Sequence, residues 1–263
     1  MRTDLETHVK TRIARLPSGV AVSGIAASGS RLFWATLSGN PNEGVIQRAS
    51  LNGQSPTRLV GHLEFVRGLV VVGRYLYWLD QYAIGRVGVS GRPLQRHFIA
   101  LPQEYGGGLG EGLANDSRYL YISRCQDSSI WRVDPVSMHR RVLIRLPGRS
   151  CPQGIAVAGR YVYWTDLHYG SRGAIGRGKI DGTAVEPQWF TIRGNSGPFA
   201  LAADTIEIYW TWSGMPTTTA GHIGRVASNR SRVTVNFALG DNAPYLAHCR
   251  AGECWSASAL GTS

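Results

Sequence analysis

"RYVYWTD", residues 160–166, packs an arginine, two tyrosines, a valine, a tryptophan, a threonine and an aspartate into one short run. Related runs occur four more times: "RLFWAT" from Arg31, "RYLYWLD" from Arg74, "RYLYISR" from Arg118 and "EIYWTW" from Glu207. Each follows a short apolar stretch: "GIAASGS" at Gly24, "GLVVVG" at Gly68, "GLANDS" at Gly112, "GIAVAG" at Gly154 and "ALAADT" at Ala200. The four leading glycines are 44, 44 and 42 residues apart. A third element comes after each run: "VIQRASLNG" (Val45), "AIGRVGVSG" (Ala83), "SIWRVDP" (Ser129), "AIGRGKIDG" (Ala174) and "HIGRVAS" (His222). A fourth, alternating in polarity, ends near "RLV", "RHFIAL", "RVLIRL", "QWFTI" or "VNFAL".

All four elements are short, rich in β-branched and aromatic residues, and bounded by Gly, Asp, Asn or Ser, so they read as strands. Four short antiparallel strands recurring at this period are the blade of a β-propeller. The end "PYLAHCRAGECWSAS", residues 244–258, matches only the first two strands of a blade. "RTDLETHVKTRIARLPSG" from Arg2 aligns with "RVDPVSMHRRVLIRLPG" from Arg132, the third and fourth strands of blade three. The reading is therefore all-β: one domain over residues 1–263 with six four-stranded blades. The last blade combines residues 244–263 with 1–18, which closes the ring and removes its open edge.

"YWTD" at Tyr163–Asp166, with "AIGRGKIDGT" following, resembles the YWTD repeat of low-density-lipoprotein-receptor class B propellers. The resemblance covers nearly the whole chain, with "YWLD" at Tyr77 and "YWTW" at Tyr209 as near matches. It implies that these residues pack one blade on the next and that the propeller binds protein ligands through its faces. On that reading Trp34, Trp78, Trp164, Trp210 and Trp255 share one position and fill the wedges between blades. Arg2, Arg48, Arg86, Arg132, Arg177 and Arg225 share another, on the third strand. The opening run is scaffold.

Function belongs where repeats differ. The residue before each leading glycine changes from blade to blade: Ser23, Arg67, Glu111, Gln153, then Phe199 and Tyr245 by looser alignment. In a propeller these positions open onto the central channel. A cation, an anion, an amide and two aromatics at one mouth suit a protein or small-molecule ligand. The alternative there is a plain Arg67–Glu111 salt bridge plugged by the aromatics. "LGEGL" around Glu111 is similar to the opening motif of the gluconolactonase and regucalcin family, where the glutamate ligates a divalent cation. Calcium is then the implied cofactor, but the remaining ligands would fall near Gln153, Phe199 and Tyr245, a poor oxygen set. Virginiamycin B lyase has a similar repeat with catalytic histidines before the inner-strand glycine, where this chain has none; His248 lies further into its strand. No paired nucleophile and base emerges. The expectation is a non-enzymatic recognition module without cofactor, with a metal-assisted lactonase or lyase as the alternative.

The formal charge is +11, yet Lys10 and Lys179 are the only lysines. The densest basic stretch, "HRRVLIRLPGR" from His139, alternates like the solvated face of a strand, so specific nucleic-acid binding is not expected. No run approaches the roughly 20 apolar residues of a membrane span, and a monomer is expected. Cys249 and Cys254 flank a tight "RAGE" turn, while Cys125 and Cys151 fall on the same face of blades three and four, giving two possible disulfides. Oxidised pairs lean towards an extracytoplasmic setting, against which stands an N-terminus that does not read as a signal peptide.

Overall fold

The computed structural model describes residues 2–4, 10–11, 13, 20–37, 43–64, 66–80, 82–101, 110–166, 173–192, 197–213, 221–240, 244–250 and 253–258. At 2–4, 10–11, 110–111, 212–213, 221–222, 235–240, 244–250 and 253–258 it describes the backbone alone. Two short strands, β1 (Arg2–Asp4) and β2 (Lys10–Thr11), open the chain. The first full sheet is β3 (Ala21–Ser28), β4 (Arg31–Leu37), β5 (Gly44–Ser50) and β6 (Thr57–Leu63). The second is β7 (Arg67–Val72), β8 (Tyr75–Leu79), β9 (Ala83–Gly88) and β10 (Leu94–Ala100). The third is β11 (Gly110–Asn115), β12 (Leu120–Arg124), β13 (Ser129–Val133) and β14 (Arg140–Arg145). The fourth is β15 (Pro152–Ala158), β16 (Tyr161–Asp166), β17 (Ala174–Lys179) and β18 (Glu186–Thr191). The fifth is β19 (Pro198–Ala203), β20 (Glu207–Ser213), β21 (Gly221–Ala227) and β22 (Val233–Gly240). Last come β23 (Pro244–Arg250) and β24 (Glu253–Ser258).

Five sheets are antiparallel meanders of four consecutive strands. A further four-stranded sheet, in the order β2-β1-β24-β23, joins the two ends of the chain, with Arg2 opposite Trp255 and Asp4 opposite Glu253. The first strands of successive sheets touch in sequence: β3 on β7, β7 on β11, β11 on β15, β15 on β19, β19 on β23, and β23 on β3. No helix among the described residues is long and apolar enough to cross a membrane.

The core is a set of wedges between sheets. Trp78 packs with Phe33, Ala35, Ile46 and Val60 of the preceding sheet. Trp164 does the same with Ala114, Tyr121, Ile130 and Ile144, and Trp210 with Tyr163, Ile175 and Trp189. The glycine of the "IGR" triplet lies opposite each of these rings: Gly85 faces Trp78, Gly176 faces Trp164 and Gly224 faces Trp210. A Cβ on Gly85 or Gly176 would collide with the indole. The third sheet reverses the arrangement, with Ile122 opposite Trp131.

The third-strand arginines are scaffold too. Arg48 Nη1 donates to Val89 O of the next sheet at 2.7 Å, and Arg132 Nη1 to Ile180 O at 3.2 Å. Arg177 lies over the rings of Tyr161 and Trp189 and pairs with Glu186 at 2.6 Å. Trp255 and Arg2 lie among the residues described by backbone alone.

Candidate functional site

Each first strand carries a bulge at its start, in the pairs Val22/Gly24, Arg67/Leu69, Gly110/Gly112, Pro152/Ile155, Pro198/Leu201 and Pro244/Leu246. A bulge leaves a residue outside the ladder and re-aims its side chain. The variable residues Ser23, Arg67, Glu111, Gln153, Phe199 and Tyr245 sit at these irregularities. Ser23, Arg67, Glu111, Gln153 and Phe199 each stand two residues before the one paired with the second-strand Trp or, for Glu111, with Ile122. Tyr245 stands three before, because His248 is the residue opposite Trp255.

The glycines after the bulges show how tightly the first strands assemble. A Cβ on Gly112 would stand 2.7 Å from Gln153 O, and one on Gly154 would run into Phe199 O. Gly68 approaches Leu113 in the same way. Neighbouring first strands therefore lie side by side in step, which sets their bulged starts on one rim.

The threonine of the opening run holds that rim. Gly154 N donates to Thr165 Oγ1 at 2.8 Å, and Thr165 Oγ1 donates to Phe199 O of the next sheet at 2.8 Å. Ala200 N donates to Thr211 Oγ1 in the corresponding place, and Ser123 Oγ donates to Gln153 O. Asp166 is buried and accepts from Cys151 N at 2.9 Å. Gln153 and Phe199 thus have carbonyls fixed by a hydroxyl of the preceding sheet, while their side chains differ.

Of the candidate residues, Phe199 is 37% exposed. Arg67 is half-buried, and so is Gln153, whose Nε2 donates to Cys151 Sγ at 3.0 Å. Arg67 and Glu111 lie on neighbouring first strands, β7 and β11. The side chains of Glu111 and Tyr245 lie outside the described residues, so the salt bridge and the cation-ligand readings of Glu111 both rest on sequence. Among the described residues there is no group of three or more His, Cys, Asp or Glu side chains that could hold a metal ion.

Cys125 and Cys151 form a disulfide across the third and fourth sheets at this rim. Ser128 Oγ donating to Ser150 O at 2.6 Å ties the same two segments together. Cys249 and Cys254 are directly opposite in the register of β23 and β24, with their side chains outside the described residues. What sequence reading missed at the rim is the role of Thr165, Thr211 and Ser123. The signal was there, as a hydroxyl after the strand-two Trp or Ile in four repeats, Ser123, Thr165, Thr211 and Ser256.

Comparison with solved structures places this architecture. The chain superposes on a chain of the nidogen/laminin complex with a TM-score of 0.66 at 22% identity, covering 86% of this chain and 84% of that one. The fold is a β-propeller. An oligogalacturonate lyase solved with manganese is also similar, with a TM-score of 0.55 at 14% identity over 78% of this chain and 61% of that one. No protein-family model matches the sequence, and no curated protein matches it.

Proposed function

We propose that the chain is a single six-bladed propeller of YWTD type over residues 1–263, its closing blade made from residues 244–263 and 1–18. We further propose that it serves as a non-enzymatic recognition module. Its site is the rim of the channel, where Arg67, Glu111, Gln153, Phe199 and Tyr245 receive a protein or small-molecule ligand. The observation that carries this reading is the contrast at the bulges. The bulge recurs in every first strand and a second-strand hydroxyl bonds beside it in three sheets, while the residue presented changes in charge, polarity and size. Scaffold needs similarity, and a site needs particular groups on a rigid frame.

The similarity to a propeller solved with laminin supports a protein ligand. The similarity to a lyase propeller solved with manganese keeps a metal-assisted lactonase or lyase at the same rim as the second reading, with Glu111 as its key group. The test is a library of small molecules and short peptides screened by thermal shift on the wild type and on Arg67→Ala/Gln153→Ala. Compounds that stabilise the wild type and not the variant support the rim site. Compounds that stabilise both equally place recognition elsewhere and overturn it.

A further inference from the structure

At the end of the ring opposite the rim, third-strand arginines reach the next sheet at two interfaces but not at the one between the second and third sheets. Arg48 and Arg132 each donate to the carbonyl three residues beyond the third-strand arginine of the next sheet. By the same rule Arg86 would reach Pro135. Instead its Nε donates to Gln95 Oε1 at 2.6 Å, and its guanidinium lies over the rings of Phe98 and Tyr75, 3.5 and 4.6 Å from their centroids. The second and third sheets stand open there, around a groove of about 540 Å³.

The floor of the groove is aromatic, with Tyr75 and Phe98. Its rim carries Val136, 88% exposed, and Met138, 50% exposed. Three guanidiniums line it, from Arg74, Arg86 and Arg118, and no carboxylate does. None of the three is within ion-pair distance of a carboxylate among the described residues. The nearby acids take their hydrogen bonds from backbone and hydroxyl donors, although, after the bond from Val136 N, the charge of Arg118 also helps to hold the Asp134 carboxyl low. Asp134 accepts from Val136 N and Ser137 N, and Asp116 accepts from Arg118 N, Tyr119 N and the Tyr121 hydroxyl. An apolar trough edged by arginines without a carboxylate partner selects a ligand that brings both aliphatic groups and carboxylates.

We propose that this groove binds an extended acidic peptide segment. Its aliphatic side chains lie on Tyr75, Phe98 and Val136, and its carboxylates pair with Arg74 and Arg118. Alternate residues of an extended chain point to opposite sides, so apolar residues can face the floor while acidic ones reach the edges. The site is independent of the rim proposed above and on the other face of the ring.

The test uses a short fluorescein-labelled peptide of alternating glutamate and leucine, titrated with the protein and read by anisotropy. Because the whole chain is basic, the comparison that decides is between two charge-reversed pairs. Arg74→Glu/Arg118→Glu changes the groove, and Arg145→Glu/Arg160→Glu changes two exposed arginines that do not line it. The proposal expects saturable binding that the groove pair weakens at least about tenfold and the other pair weakens far less. Val136→Asp, at an 88% exposed position, is expected to weaken it as well. Equal losses from the two pairs would assign binding to net charge and overturn the proposal. So would an equal affinity for a glutamate–serine peptide, or no saturable binding at low salt.

Discussion

Thr165 is the residue on which the opening run turns. Its hydroxyl accepts from Gly154 in its own sheet and donates to Phe199 O in the next, so one side chain satisfies two backbone groups across an interface. It is fully buried. Thr165→Val keeps the shape and leaves both backbone partners without a bond, which costs about 1–3 kcal/mol for a buried group. Urea unfolding should show a lower midpoint with an unchanged slope; an unchanged midpoint would mean the hydroxyl does not hold the interface. Sequence alone identified the repeat and set Thr165 within scaffold, because aromatic periodicity marks a packing face. It could not show the bond to Phe199, which joins residues 34 apart through a contact that only the assembled ring creates.

At the level of the strand, the second element does two jobs with alternate residues. Trp78, Trp164 and Trp210 fill wedges, while Tyr77, Tyr121, Tyr163 and Tyr209 point the other way and are buried as well. Burial is the main cause that raises the hydroxyls of Tyr121, Tyr163 and Tyr209 above the ordinary tyrosine range. Hydrogen bonds to Asp116 and Glu207 add to the effect at Tyr121 and Tyr209, whereas Arg177 opposes it at Tyr163. A raised folded-state value means stability is fully present below the unfolded tyrosine value of about 10 and is lost as pH rises through the folded values. The urea midpoint should therefore fall on going above about pH 10, and fall less steeply in Tyr163→Phe. The same slope in variant and wild type would show that this hydroxyl does not govern the alkaline limb. The strands themselves were legible in the sequence because their period of two and their bounding turns are local. The bulges were not, since an extra residue in a ladder is defined by its partner strand. The bulges give the rim its geometry and show Tyr245 one residue out of step with the other candidates.

For the molecule as a whole, sheets packed side by side are held by wedges, by cross-sheet hydroxyls and by the Cys125–Cys151 disulfide. Cys125 and Cys151 are 26 residues apart, and cross-linking a loop of that size removes roughly 3–4 kcal/mol of unfolded-state entropy. Reduction, or Cys125→Ala with Cys151→Ala, should lower the melting midpoint by about 5 °C or more. An unmoved midpoint would show that the bond adds nothing the hydrogen bond between Ser128 and Ser150 does not already supply. That pair was readable from where the cysteines fall in the repeat. The groove between the second and third sheets was not, because it depends on Arg86 turning back onto Tyr75, Phe98 and Gln95 of its own sheet rather than reaching the next.

The central claim is that the rim recognises a ligand without a resident metal, and Glu111 is where it is most exposed to test. The direct measurement is thermal unfolding with and without excess calcium, for the wild type and Glu111→Gln. A ligand at a hundred times its dissociation constant stabilises by about 2.7 kcal/mol, which for a domain of this size raises the midpoint by about 5 °C or more. The account predicts the same midpoint with and without calcium in both proteins. A calcium-dependent rise in the wild type that Glu111→Gln abolishes would contradict it and make the metal-assisted enzyme the leading reading.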